Sequence, residues 1–149
     1  MFDLNKMIAI GSDHAGYKMK EYLITHLEKE GYHFRDFGTY SEESVDYPDY
    51  IHPLAKAIDE GSIEKGIILC GTANGVAMTA NKYKGVRAAV CWNGKVVTFA
   101  RQHNDANVLA LPARFISLED AMNFTKLFFT TDFAGGRHER RVKKISELL

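Results

Sequence analysis

The segment that most restricts the fold of this chain runs from Gly66 to Gly75. Its first half is a fully apolar run that ends at Cys70, and such a run predicts a buried strand. A loop with a glycine at each end follows, and residues 76–82 have the pattern of a helix. A strand that enters a helix through such a loop presents a row of backbone N–H groups that can bind an anion.

The position of Cys70 at the edge of that loop allows two interpretations. A field that attracts an anion also stabilises a thiolate, which could act as a base or a nucleophile beside an oxyanion site. A cysteine at a strand end can equally be a small buried hydrophobe, and glycine-rich turns occur in many α/β folds without catalysis. The segment alone leaves both interpretations open.

Short apolar strands alternate with helical patterns along the rest of the chain. This alternation predicts one α/β domain over residues 1–149, with an open parallel sheet and helices on both faces. The second strand is the more polar one, so we expect it near an edge of the sheet. The predicted strands are 7–10, 32–37, 66–70, 86–90 and 107–111, and the predicted helices begin near 17, 47, 76, 94, 117 and 137, the last one reaching Leu149.

The composition excludes several classes of function. The 149 residues carry 19 basic and 19 acidic side chains, so the net charge gives no general attraction to nucleic acid or to anionic membranes. No stretch is apolar over the length of a membrane span, and the first residues lack the pattern of a secretion signal. Only Cys70 and Cys91 are present, so we expect reduced thiols and a cytoplasmic location.

Polar residues follow the carboxyl ends of the predicted strands. His14 opens a helix after the first strand, where ligands bind in open α/β sheets. The neighbouring Ser12 or Asp13 could simply cap that helix. The ends of the first, third and fourth strands should converge at one edge of the sheet, which makes that edge the expected ligand site.

Two polar clusters lie farther along the chain. Within residues 101–105, His103 is placed to move a proton near neutral pH, although an isolated surface histidine is the simpler interpretation. Arg137 and Arg141 lie one helical turn apart, and two guanidinium groups at a helix start could bind a phosphate. A solvated basic helix end would have the same composition, since lysines continue the charge.

Several known chemistries lack their motif in this chain. No His, Cys, Asp or Glu grouping has zinc spacing, and neither type of nucleotide phosphate-binding loop is present. A cysteine phosphatase would need an arginine six positions after Cys70, where the chain has Val76. We therefore expect no metal and no cofactor.

Short motifs spread in order over nearly the whole chain resemble those of a known family. The motifs are Ser12-Asp-His-Ala-Gly16, Asp46-Tyr-Pro48, Cys70-Gly-Thr72, Ala80-Asn-Lys82, Arg101-Gln-His-Asn-Asp105, and Gly136-Arg-His138 with Arg141. They resemble the ribose-5-phosphate isomerase B family, whose relatives include galactose-6-phosphate and allose-6-phosphate isomerases. The resemblance implies a Rossmann-like three-layer α/β/α fold with a five-stranded parallel sheet. It also implies a homodimer, or a dimer of dimers, with active sites shared between subunits.

The same resemblance implies roles for individual residues in an aldose–ketose isomerisation without metal. Cys70 would remove the C2 proton, His103 would open the sugar ring as an acid, and Thr72 could pass a proton between the two oxygens. The other implied contacts are Asp13 and Asn104 to sugar hydroxyls, the amides of Gly71, Ala73, Asn74 and Gly75 to the enediolate, and His14, Arg114, Arg137 and Arg141 to the phosphate.

The loop departs from the family pattern at one place. The family loop reads Gly-Thr-Gly-x-Gly, whereas this chain has Gly71-Thr-Ala-Asn-Gly75. We expect Ala73 to have a negative φ, because only glycine enters the left-handed region freely. Asn74 resembles a branch of the family whose base is a glutamate after the loop. That position is Val76 here, so Cys70 remains the expected base.

The resemblance implies a ribose-5-phosphate isomerase that acts through an enediolate in the cytoplasmic pentose phosphate pathway, and the residue patterns above agree with it. A hexose-6-phosphate isomerase of the allose or galactose type is one alternative. A non-catalytic sugar-phosphate-binding protein is another, and the joint presence of Cys70, Thr72 and His103 argues against it.

Overall fold

The computed structural model describes residues 1–147, in which five strands and six helices alternate along most of the chain. The strands are β1 (Ile8–Ser12), β2 (Phe34–Asp36), β3 (Gly66–Cys70), β4 (Ala88–Val90) and β5 (Val108–Pro112). The helices are α1 (Tyr17–Glu28), α2 (Tyr47–Asp59), α3 (Asn74–Ala80), α4 (Gly94–Gln102), α5 (Leu118–Thr130) and α6 (Arg137–Glu147).

All five strands are parallel and lie in the order β2-β1-β3-β5-β4. The expectation that the polar second strand lies at an edge is therefore confirmed. Strands β1, β3 and β5 are buried along their whole length. The direction of strand addition reverses between β1 and β3, and at such a point the loops diverge and leave a crevice at the carboxyl ends.

The side chains of each central strand alternate between the two faces of the sheet. In β3, Ile67 and Leu69 pack with residues of α1, α4 and α5, whereas Ile68 and Cys70 pack with residues of α2 and α3. Each such fully buried aliphatic side chain contributes about 1.5–3 kcal/mol by leaving water. The predicted three-layer Rossmann-like fold is confirmed.

The edge strand β4 is shorter than the predicted 86–90 because the amides of the two residues before Ala88 bond outside the ladder. The amide of Val86 donates to the Tyr83 carbonyl at 3.0 Å. The amide of Arg87 donates to Oδ1 of Asn107 at 2.8 Å. The ladder with β5 accordingly begins only at Ala88.

Helix α6 differs from the other helices because none of its residues from Arg137 to Glu147 is buried. Its predicted start at 137 is confirmed, and the predicted extension over 148–149 lies outside the described residues. Among the helices of residues 1–147, none is long and apolar enough to cross a membrane.

Candidate active site

A cavity of about 740 Å³ opens at the carboxyl ends of β1 and β3, the predicted ligand edge. Its volume lies in the range of small-molecule sites, roughly 300–1,000 Å³. The walls come from the turn after β1, the loop after β3, the start of α2 and the turn after β5. The predicted site residues that line it are Asp13, His14, Cys70, Gly71, Thr72, Gly75 and Arg114.

Cys70 is held at this cavity by the centre of the sheet. It is the last residue of β3, lies opposite Pro112 of β5, and its carbonyl accepts from the amide of Ala113 at 2.9 Å. Its side chain is 5% exposed and belongs to the apolar cluster beneath α2 and α3. The thiol is therefore buried in the core, as a small hydrophobe would be, and it also lines the cavity, as a reactive group must.

The loop after Cys70 turns sharply into α3, which begins at Asn74, two residues earlier than predicted. Thr72 is exposed at the mouth of the cavity, and its hydroxyl accepts from the Asn74 amide at 3.3 Å. Asn74 itself lines a neighbouring apolar cavity with Thr72. At Gly71, a Cβ would come within 3.2 Å of the Arg114 side chain, so the glycine permits the close approach of that arginine.

The expectation of a negative φ at Ala73 is wrong. Ala73 has φ 64° and lies in the left-handed region as the N-cap residue of α3. The chain must leave the strand and start the helix within three residues, and this reversal requires one left-handed residue. The conformation costs about 1–2 kcal/mol for a residue with a Cβ. Ala73 is fully buried in the cluster beneath α2 and α3, and the burial of its methyl group offsets part of that cost.

Asp13 and His14 are positioned by backbone contacts around the cavity. Oδ1 of Asp13 accepts from the amides of Ala15 and Gly16 at 2.9 and 3.1 Å and so orders the turn before α1. The N-cap of α1 is Gly16, so the interpretation of Ser12 or Asp13 as the cap is wrong. Nδ1 of His14 accepts from the Val45 amide at 3.2 Å. Since Nδ1 accepts, Nε2 is the donor of this ring.

One wall of the cavity has no role in the predictions made from the sequence. Its residues are Ser44, Val45, Asp46, Tyr47, Pro48 and Asp49. The ring of Tyr47 packs closely against Gly75 in the first turn of α3, where a Cβ would come within 2.5 Å of its Cζ atom. The available signal was the motif Asp46-Tyr-Pro48 at a helix start. Sequence alone gave no reason to place the start of α2 beside β3.

The remaining predicted residues lie elsewhere in the chain. A second cavity of about 360 Å³ is lined by His103, Asn104 and several residues of α6, among them Arg141. Arg137 is the first residue of the same helix. The ring of His103 stacks between Phe99 and His138, with 4.7 and 4.3 Å between ring centroids. The single chain therefore does not bring this second group to Cys70.

The electrostatics of the second cavity favour an anion. Desolvation lowers the pKa of His138 below its ordinary value, and the nearby charges of His103, Arg137 and Arg141 lower it further. These groups repel added positive charge, so a bound anion would relieve their repulsion. Among residues 1–147, no three or more His, Cys, Asp or Glu side chains lie together as a metal site would require.

The fold and the cavity define a Rossmann-like α/β protein with a ligand-sized site at its switch point. Comparisons with known proteins are more specific. Residues 8–145 match the ribose/galactose isomerase family. Ribose-5-phosphate isomerase B of Escherichia coli strain K12 is 40% identical over 143 residues, which cover 96% of this chain and 96% of that protein.

Solved structures give the same result. A ribose 5-phosphate isomerase from Thermotoga maritima is 47% identical with a TM-score of 0.92, and the match covers 95% of this chain and 98% of that one. Ribose-5-phosphate isomerase B from Mycoplasma genitalium, solved with bound ribulose-5-phosphate, is 38% identical with a TM-score of 0.92, covering 98% and 97%. The chain belongs to the ribose/galactose isomerase family. The family resemblance and the prediction of an isomerase are thereby confirmed.

Proposed function

We propose that the chain interconverts D-ribose 5-phosphate and D-ribulose 5-phosphate through an enediolate. The observation that carries the proposal is the cavity in which Cys70 ends a buried strand beside Asp13, His14 and Arg114. It places a candidate base within one ligand-sized space with groups that bind hydroxyls and phosphate. The relative with bound ribulose-5-phosphate supports the substrate class.

The proton transfers follow from the residues around Cys70. Its thiolate removes the proton from C2 of the open-chain aldose and returns it to C1. Thr72 carries the proton of O2 to O1, so that the aldehyde becomes an alcohol and C2 becomes a ketone. The backbone amides from Gly71 to Gly75 stabilise the negative charge that develops on the oxygens.

The phosphate is the anchor that orients the reacting carbons, because binding energy far from the reaction positions it. Nε2 of His14 and the guanidinium of Arg114 supply this anchor from the Cys70 cavity. Arg137 and Arg141 complete it from a second copy of the chain. The same copy brings His103, the acid that opens the sugar ring, and Asn104, which binds sugar hydroxyls.

The separation of the two groups within one chain supports a homodimer with shared sites. Cys70 and His103 line different cavities of the described chain, and Asn104 and Arg141 lie with His103 rather than with Cys70. Each half is therefore incomplete by itself. We place the enzyme in the cytoplasm, in the pentose phosphate pathway, because that pathway uses both sugar phosphates.

The test is kcat/KM for ribose 5-phosphate against allose 6-phosphate and galactose 6-phosphate. We expect the pentose phosphate to be preferred, since one mismatched methylene is worth about 1–3 kcal/mol at a site of fixed length. Activity should persist in EDTA, because amides and arginines hold the charge. A tenfold preference for a hexose phosphate, about 1.4 kcal/mol, would change the substrate, and turnover of none of the three would favour the binding protein.

A further inference from the structure

The turn between α4 and β5 contains a residue in an unusual backbone conformation. Asp105 has φ 47°, in the left-handed region, directly after His103 and Asn104. Asp and Asn tolerate that region better than other residues with a Cβ. The proposed function uses His103 and Asn104 but gives no role to Asp105 or to Arg101, which share their motif.

Two arginines contact every polar group of Asp105. Its carboxylate accepts from Nη1 of Arg101 at 2.9 Å and from Nη2 of Arg87 at 3.4 Å. Its carbonyl accepts from Nε of Arg87 at 2.9 Å, and its amide donates to the carbonyl of Arg101 at 3.2 Å. Charge-assisted hydrogen bonds of this kind are about twice as strong as neutral ones.

Arg101 is itself fixed by the core. It is 3% exposed, donates from Nε to the Thr131 carbonyl at 3.0 Å and from Nη1 to the Ala106 carbonyl at 2.6 Å. Its guanidinium lies over the ring of Phe2, 4.3 Å from the centroid. The carboxylate of Asp105 is thus tied to a rigid group rather than to a mobile surface side chain.

Arg87 fixes the other side of the turn. It directly precedes β4, its amide donates to Oδ1 of Asn107 at 2.8 Å, and its carbonyl accepts from the Asn107 amide at 3.1 Å. The turn therefore connects α4 and β4 through one carboxylate. Such a link restricts how the residues just before Asp105 can move.

We propose that Asp105, held between Arg87 and Arg101, is a positioning residue for His103 and Asn104. This inference rests on the proposed function, in which those two residues act on the sugar. Catalytic groups must be held closely, since a misplacement of about 1 Å can reduce the rate on the order of 10²-fold. A purely structural role would lower the stability of the protein and leave the reaction of the folded enzyme unchanged.

Three variants separate the contributions of Asp105. Asp105→Asn keeps a residue that tolerates the left-handed region and removes the charge. Asp105→Gly keeps the backbone conformation and removes the whole side chain. Arg87→Gln removes one arm of the contact and is available if either first variant does not fold. Asp120→Asn, at the start of α5, is the matched exchange at a carboxylate that accepts from the Ser117 amide at 3.3 Å.

The first measurement is single-turnover isomerisation in both directions by the full-length enzyme. We expect Asp105→Asn and Asp105→Gly to slow the reaction of cyclic ribose 5-phosphate about tenfold or more, and the reaction of open-chain ribulose 5-phosphate less. The same change should cost less in a His103→Ala background than in the wild type, because the two residues act as a unit. Asp120→Asn should leave both rates unchanged. Equal rates for wild type and both Asp105 variants would overturn the proposal.

The second measurement reports the His103 ring without any reaction. The ring stacks on Phe99, with 18° between the ring planes, so its proton resonances carry a ring-current shift. Asp105→Asn and Asp105→Gly should reduce that shift, and Asp120→Asn should not. An unchanged shift in both Asp105 variants would overturn the proposal whatever the rates. If the shift changes but His103→Ala slows both directions equally, the positioning is supported and the acid role of His103 in the proposed function fails.

Discussion

The cavity at Cys70 and the turn at His103 are built in opposite ways. Cys70 ends a strand that has a hydrogen-bonded neighbour on each side, and its side chain belongs to the core. His103 ends a helix, and its ring lies between the exposed Phe99 and the partly exposed His138. The core thus fixes the proposed base directly, whereas the proposed acid depends on aromatic stacking at the surface and, as proposed above, on Asp105 held by the buried Arg101. Substitutions should affect the two regions differently.

The largest effect is expected for Cys70→Ser. A serine hydroxyl ionises far less readily than a thiol and supplies almost no anionic base near neutral pH, so kcat should fall about 10²-fold or more while a phosphate ligand still binds. Steady-state kinetics and calorimetric titration with a substrate analogue measure the two quantities. Near-normal turnover would show that Cys70 is not the base.

The other cysteine provides the control for that experiment. Cys91 is fully buried on the opposite face of the sheet, and desolvation raises its pKa to about 12. Cys91→Ala should keep kcat and lower the free energy of unfolding by about 1 kcal/mol. Iodoacetamide should modify Cys70 before Cys91 in the folded protein, and substrate should protect it.

His103→Ala tests the surface region. We expect single-turnover reaction from cyclic ribose 5-phosphate to slow about 10²-fold, and reaction from ribulose 5-phosphate to slow less, because only the first needs ring opening. The steady-state ratio of kcat/KM is fixed by equilibrium and cannot show this difference. His33→Ala, an exposed histidine just before β2, is the matched control. Equal losses in the two directions would assign His103 a structural role.

Mixing subunits tests whether the two regions meet across a dimer. A chain with both Cys70→Ala and Arg137→Ala is exchanged with wild type. A shared site leaves each heterodimer nearly inactive, since each of its two sites carries one substitution, whereas an unshared site leaves it half active. The single Cys70→Ala chain should give half activity in both cases. Half-active heterodimers of the double variant would exclude shared sites between these residues.

The smallest effect is expected at Ala73. Ala73→Gly removes about 1–2 kcal/mol of left-handed backbone cost, loses about 0.4–1 kcal/mol through the unfolded chain, and loses a buried methyl worth about 0.8 kcal/mol. The free energy of unfolding should therefore change by less than about 1 kcal/mol. Ala73→Val should lower it by more than that, because a β-branched residue fits the left-handed region poorly. Denaturant titration measures both, and a large stabilisation by glycine would contradict this balance.

The sequence predicted the fold well because the fold depends on short apolar strands and their alternation with helices. It predicted less at the edges of the sheet, where a side chain such as Asn107 takes a backbone amide that a longer strand would otherwise use. It also missed the conformation of Ala73, which depends on how quickly the loop must turn. These are consequences of contacts between distant parts of the chain.

The sequence predicted one part of the candidate site and missed another. Residues at the carboxyl ends of central strands, such as Asp13 and Cys70, meet because parallel strands end at one edge. The wall around Tyr47 and the remote position of His103 could not be read from spacing, since each depends on where a helix packs. The roles assigned to all of these residues remain predictions.

Helix α6 has a consequence for how the enzyme should respond to dilution. Its 11 residues have no buried side chain, and isolated helices shorter than about 12–15 residues are marginal in water. In the proposed dimer a second copy contacts α6, so the fraction of chains in which this helix is ordered should depend on the protein concentration. Specific activity should then decline as the enzyme is diluted below the dissociation constant of the dimer, and sugar phosphate should counter that loss by binding across both chains.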